Sequence, residues 1–436
     1  MKRILFGCTA AILILFYTSC DIPEENDDKN YIFESISANG STNETTTKLI
    51  FRFNEDIPNL SADDIKINST FIVIKGALTK TGERTYELAI TPGRSDNIRV
   101  GLDPYRGFTG WEAQIVRVYA VFQFNITNRL IITGYGPTSG SVTIPDNILG
   151  IPVTGIGENA FYKKDLDEVI IPESITTIGN RAFAENKLTS VIIPEGLTII
   201  GNEVFRDNQL EGELNIPDSV VSIGNFAFYN NKLTKVIIPD SVINIGNEAF
   251  RRNLLTEVVI SGSVSSLRYG LFANNKLTSI IIPESVTYID DGAFYDNKLT
   301  EVIIPEDVTY IGRSAFAYNL LTEIIIPENI RTIESGSFAI NELTEVTIPG
   351  NVITVGNSAF LGNLITKVII CEGVKEIEHF AFWDNQIIKV IIEENVIVNS
   401  ASFSESFENA YNIIHEKAAG TYTRPSLKSN IWTRDE

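Results

Sequence analysis

Between residues 142 and 395 the chain repeats one pattern of hydrophobic and polar positions. Phenylalanine returns every 22 residues, at Phe161, Phe183, Phe205, Phe228, Phe250, Phe272, Phe294, Phe316, Phe338, Phe360 and Phe382, with one step of 23 where Leu210-Glu211-Gly212-Glu213-Leu214 carries an extra residue. Asparagine follows three positions later at Asn186, Asn208, Asn231, Asn253, Asn275, Asn297, Asn319, Asn341, Asn363 and Asn385. The stretch from Leu299 to Asn319 shows what the pattern encodes. Val302 and Ile304 share a face by the two-residue period of a strand, so they point inward while Glu301 and Ile303 point out. Pro305 has no N–H and ends the strand, and its fixed φ suits the second position of a turn. Val308, Ile311 and Phe316 return to the core. Asn319 falls where the chain bends back, and its amide can donate to and accept from backbone groups that would cost about 1–3 kcal/mol each if buried unpaired. A single coil buries too little to offset the entropy of ordering it, so neighbours must stack. The expectation is a solenoid with parallel strands along one face, forming one long sheet from Val169-Ile170-Ile171 to Val390-Ile391-Ile392.

Before this stretch the period is two. Leu49, Phe51 and Phe53 alternate with Lys48, Ile50 and Arg52, and alternation recurs at Tyr86, Leu88, Ile90 and at Ile98, Val100, Leu102. Gly76, Gly82 and Pro92-Gly93 separate these runs. Residues 31–123 are therefore expected to form an antiparallel β-sandwich of immunoglobulin-like size, serving as a spacer. Phe122 to Asn125 and Leu130 to Tyr135 read as a hairpin opening the solenoid, which is placed at 124–401. Residues 402–436 lose the period, and Ala410-Tyr411, Gly420 to Pro425 and Trp432 read as a cap over the last coil's core.

The ends bear on location. Lys2 and Arg3 precede an apolar run, Ile4 to Tyr17, too short to span a membrane but suited to a signal peptide over 1–19. Thr18-Ser19-Cys20 resembles a bacterial lipoprotein signal, which implies cleavage before Cys20 and lipid on it; an ordinary secretory signal with an incidental cysteine is the other reading. The acidic residues 20–30 read as a solvated tether. Only Cys371 would then remain, so no intramolecular disulfide is available, and its place after a strand suits a small filler.

Composition narrows the function classes. With 35 basic and 55 acidic residues the chain carries a net charge of −20, which argues against nucleic acid. His379 and His415 are the only histidines, without metalloprotease spacing, and no Gly-rich phosphate loop opens a helix. Asp56, Asp63 and Asp64 lack the dense ligand spacing of a calcium loop. No enzyme, cofactor or metal is expected.

Outward positions carry the candidate partner surface. Glu257, Glu301 and Glu323 belong to one column along the strands, and Ile237, Val259, Ile281, Ile303 and Ile325 to the next. An exposed aliphatic ribbon marks an interaction surface, although stacked β-branched residues also pack on one another. A turn column of carboxylates runs from Glu173 through Glu284, Glu306 and Glu328 to Glu394, held by backbone donors or by cations. Tyr295 and Trp383 sit among the bend aromatics that would form a second contact edge, suited to a glycan.

The coil Leu-Thr-x-Val-x-Ile-Pro-x-x-Val-x-x-Ile-Gly-x-x-Ala-Phe-x-x-Asn, with Ile131 to Tyr135 before it and Gly420 to Arg424 after it, resembles the BspA-like bacterial surface leucine-rich-repeat family. The resemblance implies a mainly β leucine-rich-repeat solenoid of 22-residue coils, without catalytic residues, on a bacterial cell-surface protein; together with the lipoprotein signal ending at Cys20 the expected location is lipid-anchored, in the outer membrane and surface-exposed. It implies an extracellular protein or glycan as partner, in adhesion to host matrix, host cells or other bacteria, with the membrane touched only through the N-terminal lipid. A self-associating structural envelope protein and a glycan-binding module are the alternatives.

Overall fold

The computed structural model describes residues 33–39, 46–53, 60–68, 73–92, 96–102, 114–118, 122–126, 130–136, 139–148, 151–414 and 417–435. The signal, Cys20, the tether, Asp56 and His415 lie outside the described residues.

Alternating residues in the first part build two antiparallel sheets. Strands β1 (Phe33–Ala38), β2 (Lys48–Phe53), β4 (Val73–Gly82) and β5 (Thr85–Pro92) pair in the order β1-β2-β5-β4, and β3 (Ile65–Asn68), β6 (Asp96–Leu102) and β7 (Gln114–Val118) in the order β3-β6-β7. Leu49, Phe51 and Phe53 from β2 meet Tyr86, Leu88 and Ile90 from β5 and Ile65 from β3, so the two sheets share one buried core. The period-two reading follows directly from these inward faces.

A hairpin of β8 (Phe122–Ile126) and β9 (Leu130–Tyr135) then opens the solenoid, with β9 pairing in parallel to Ile151–Ile156. Inside, the Phe rings stack coil on coil from Phe161 to Phe382 with centroids 5.0–5.9 Å apart. Tyr135 closes this column at one end and Phe403 at the other, so the ladder runs two residues beyond the expected boundary at 401. Each Phe N–H donates to a carbonyl of the next coil, from Phe161 to Ala182 through Phe382 to Ser402, at 2.7–3.2 Å. The bend reverses the chain through left-handed residues two before and two after the Phe, as at Ser314 (φ 52°) and Tyr318 (φ 58°). The extra residue of the longer step is accommodated by Gly212, whose φ of 74° sits where the pairing register shifts.

The long sheet expected on one face is not continuous. Its strands pair in three groups: Gly140–Thr143 with Leu166–Ile170; Glu211–Asn215, Lys232–Ile237 and Glu257–Val259; and Glu345–Ile348, Lys367–Ile370 and Lys389–Ile392. Between the last two groups, in the coils holding Ile281, Ile303 and Ile325, the ladder is reduced to one isolated bridge, Ile281 to Ile303. A second row, of two-residue strands such as Thr177–Ile178 and Tyr288–Ile289, runs along another side of the coils in three segments.

The cap pairs Gly420–Thr423 antiparallel to Lys389–Ile392 and adds Thr433–Asp435 outside it, covering the edge of the last strand. Phe407, Tyr411, Tyr422 and Trp432 fill the open end of the core. Tyr411 donates to the Glu393 carbonyl at 2.8 Å and accepts from Val396 N–H at 3.1 Å, and burial pushes its phenol up to about 12.

Candidate interaction face of the solenoid

Two different polar rows secure the coils before any surface is left for a partner. Asn297 is representative of the ten repeated asparagines: its Nδ2 donates to the Phe272 carbonyl of the previous coil at 2.9 Å and to its own coil's Phe294 carbonyl at 3.2 Å, while its Oδ1 accepts from Leu277 N–H at 3.1 Å. The same three bonds recur from Asn186 to Asn385. Sequence reasoning missed the other row. Asn180, Asn202 and Asn225 each accept, through Oδ1, the backbone N–H of the equivalent Asn one coil on, at 2.8–2.9 Å. The signal was present in the recurring Ile-Gly-Asn at 178–180, 200–202, 223–225 and 245–247.

The strand side presents its aliphatic column unevenly. Ile281, Ile303 and Ile325 are 85%, 84% and 84% exposed, whereas Val259 is 47% exposed and Ile237 half-buried. The difference follows the ladder. Where neighbouring strands pair, the outward side chains cover one another, and where pairing lapses they stand apart. Clefts open at the lapses: one of about 300 Å³ lies between Glu323–Ile326 and Glu345–Thr347, and one of about 390 Å³ between Val191–Ile193 and Glu213–Ile216.

The carboxylates flank this ridge. Glu257 is paired with Lys235 at 3.2 Å, and Glu345 with Lys367 at 2.9 Å. Glu301 and Glu323 on one side of the ridge, and Glu284, Glu306 and Glu328 on the other, are exposed and have no ion pair or side-chain hydrogen bond among the described residues. In the turn column, Glu173 is held by the backbone N–H of Glu195 at 3.0 Å. Among the described residues no group of three or more potential metal ligands occurs.

The aromatics at the bends do not form one edge. Tyr295 packs on Tyr318 at 5.2 Å, while Trp383, four coils on, packs edge-on against Phe380 at 5.9 Å. Between them the equivalent positions hold Ala317, Ala339 and Leu361, which offer no ring. His379 Nδ1 lies 2.9 Å from Ser400 Oγ, and Cys371 is a free, partly exposed thiol.

The model of the BspA type leucine rich repeat region matches in six copies, over residues 154–276, 185–300 and 265–389, more than half of the chain. A leucine-rich repeat protein from Bacteroides ovatus superposes with a TM-score of 0.56 at 23% identity, covering 66% of this chain and 79% of that one. The pneumococcal vaccine antigen PcpA gives 0.43 at 22% identity, covering 65% and 87%, and a leucine rich cell surface protein from Faecalibacterium prausnitzii 0.37 at 21%, covering 65% and 96%. These likenesses concern the fold. No curated protein matches the chain.

Proposed function

This chain belongs to the BspA-type leucine-rich-repeat family, and from that premise we propose that it is a binding protein displayed at a bacterial surface and held there by lipid on Cys20. Its solenoid grips a macromolecular partner on the ridge of Ile281, Ile303 and Ile325, in adhesion to host matrix, host cells or other bacteria. The observation that carries this reading is the exposure of those three side chains in register on successive coils, at 84–85%. Large apolar side chains aligned in water are retained where something covers them.

The magnitudes define the partner. Burying the three side chains returns about 1.5–3 kcal/mol each. Association itself costs about 4–15 kcal/mol, so the ridge alone holds a partner weakly. The unpaired carboxylates at Glu301, Glu323, Glu284, Glu306 and Glu328 supply the remaining attraction, which selects a protein segment with apolar anchors inside a Lys- and Arg-rich rim. The amino-terminal module serves as an immunoglobulin-like spacer; its strand orders 1-2-5-4 and 3-6-7 are those of the seven-strand constant-type arrangement. Among the described residues no helix is long and apolar enough to cross a membrane.

The test replaces Ile281, Ile303 and Ile325 by Ser in cells that display the protein at the wild-type level. Attachment to matrix proteins, host cells or neighbouring bacteria should fall by about tenfold or more, with the circular dichroism of the purified chain unchanged. Unchanged attachment overturns the ridge as the contact face. Protease added to intact cells should strip the solenoid; protection until the outer membrane is opened rejects surface display.

A further inference from the structure

The cap meets the last coils around an open cavity of about 650 Å³, remote in sequence from the isoleucine ridge. Trp383 lines it with an indole that is 39% exposed. Trp432 lines it as well, fixed by a hydrogen bond from its Nε1–H to Ser406 Oγ at 3.2 Å and by the Arg424 guanidinium 5.2 Å from its ring centroid. Arg424 in turn donates through Nε to the Ile387 carbonyl at 2.8 Å. Its terminal nitrogens have no hydrogen-bond partner and no carboxylate among the described residues, and no acidic side chain described lines the cavity. Asn409 and Asn430 add two exposed amides that make no side-chain hydrogen bond among the described residues.

These groups are complementary to one kind of ligand. Indole faces pack against the C–H face of a pyranose ring, and side-chain amides match its hydroxyls. A half-buried guanidinium without an anion is unfavourable, and burial lowers the Arg424 pKa accordingly. A carboxylate would satisfy its free fork in a bidentate pair. The chain's overall negative charge does not forbid an anionic ligand, because charges beyond about 8–10 Å are screened at physiological salt while the guanidinium is in contact. We propose that the cap cavity binds a saccharide bearing a carboxylate, of the uronic or sialic acid class, with a sugar ring on Trp383 and the carboxylate on Arg424.

The experiment titrates the full chain with trigalacturonate and 3′-sialyllactose, and with the neutral maltotriose and lactose, following tryptophan fluorescence and heat. At least one acidic sugar should bind saturably, about tenfold or more tighter than its neutral counterpart. Trp383→Ala should weaken binding by a similar factor, and Arg424→Gln should abolish the preference for the acid. Because Arg424 also ties the cap to Ile387, the double variant Asn409→Ala/Asn430→Ala provides a control: its side chains support nothing in the fold, so an unchanged melting temperature with weakened sugar binding supports the site. Absence of a saturable signal below about 10 mM for both acidic sugars, equal affinity for acid and neutral sugars, or indifference to the asparagine variant each overturns the proposal. The triple Ile→Ser variant of the ridge should bind sugar as wild type does, so that failure of one reading leaves the other standing.

Discussion

The bend side and the strand side of each coil are built from equally regular sequence, yet only the bend side is regular in its bonding. At the bends, every Phe N–H from Phe161 to Phe382 reaches the next coil, and every repeated Asn from Asn186 to Asn385 ties three backbone groups across two coils. On the strand side the ladder lapses through the coils of Ile281, Ile303 and Ile325 and resumes at Glu345–Ile348. The contrast shows which half of the repeat holds the stack. Side-chain amides fix the coils at the bends whatever the strands do, and the strand face is thereby released to vary.

The most damaging challenge to that contrast is Asn297→Ala. It strands the Leu277 N–H and takes a donor from the Phe272 and Phe294 carbonyls, all buried. Unfolding by urea should show a loss of about 2–4 kcal/mol. The exposed Ile303, which supports no such bond, should lose less than about 0.5 kcal/mol on change to Ser. Equal losses at the two positions would mean that the bend does not carry the stack.

A smaller effect separates charge from packing at the bends. Burial raises the Glu203 pKa, but the hydrogen bonds and charges of Arg181 and Arg206 outweigh it and hold the carboxyl below its usual 4.5. Arg206 also lies over the rings of Phe226 and Tyr229, 5.9 and 5.5 Å from their centroids. A depressed carboxylate pKa stabilises the fold above the unfolded value and loses that contribution as pH falls through the folded one. The stability lost in Arg206→Gln should therefore be greatest near neutrality, at most about 1 kcal/mol after solvent screening, and shrink below about pH 4.5. A loss that stays constant with pH would assign Arg206 to packing on the rings alone.

What could be read from the sequence divides along the same line. The Phe and Asn rows were legible because each position has one steric and hydrogen-bonding solution, and the second Asn row was equally written in Ile-Gly-Asn. The lapse of the ladder was not. Val302-Ile303-Ile304 and Val368-Ile369-Ile370 are the same tripeptide, yet the second lies in a paired strand and the first does not. Local preference is identical, so the neighbours decide. The exposed ridge follows from that lapse, which is why the expected column ran evenly from Ile237 to Ile325 while the structure leaves Ile237 half-covered. The cavity under the cap draws residues from Trp383 to Trp432 and could only be found in space.

Charge supplies the neighbour effect. In the second and third paired groups a lysine meets the outward carboxylates of adjacent strands, Lys235 those of Glu213 and Glu257 and Lys367 that of Glu345, while the first group sets Ser141 opposite Glu168, with no like charges facing each other. In the unpaired coils the same column reads Ser279, Glu301 and Glu323, with no cation between the acids. Like charges facing each other across strands disfavour pairing, and opposite charges favour it by about 0.2–1 kcal/mol. Lys389, next to Lys367, is paired despite its neighbour because the cap strand Gly420–Thr423 pins it from the other side. Glu323→Lys places a cation between Glu301 and Glu345 and should let the ladder close. Amide hydrogen exchange at residues 301–304 and 323–326, fast in the wild type, should then slow toward that of 367–370, with a gain of a few tenths of a kcal/mol in stability. The same substitution narrows the cleft beside Ile325 and weakens any partner with a basic rim. Exchange that stays fast would show that the geometry of the stack keeps these coils apart regardless of charge, since the proline that follows them, as Pro283, Pro305 and Pro327, also follows paired strands as Pro217, Pro239 and Pro349.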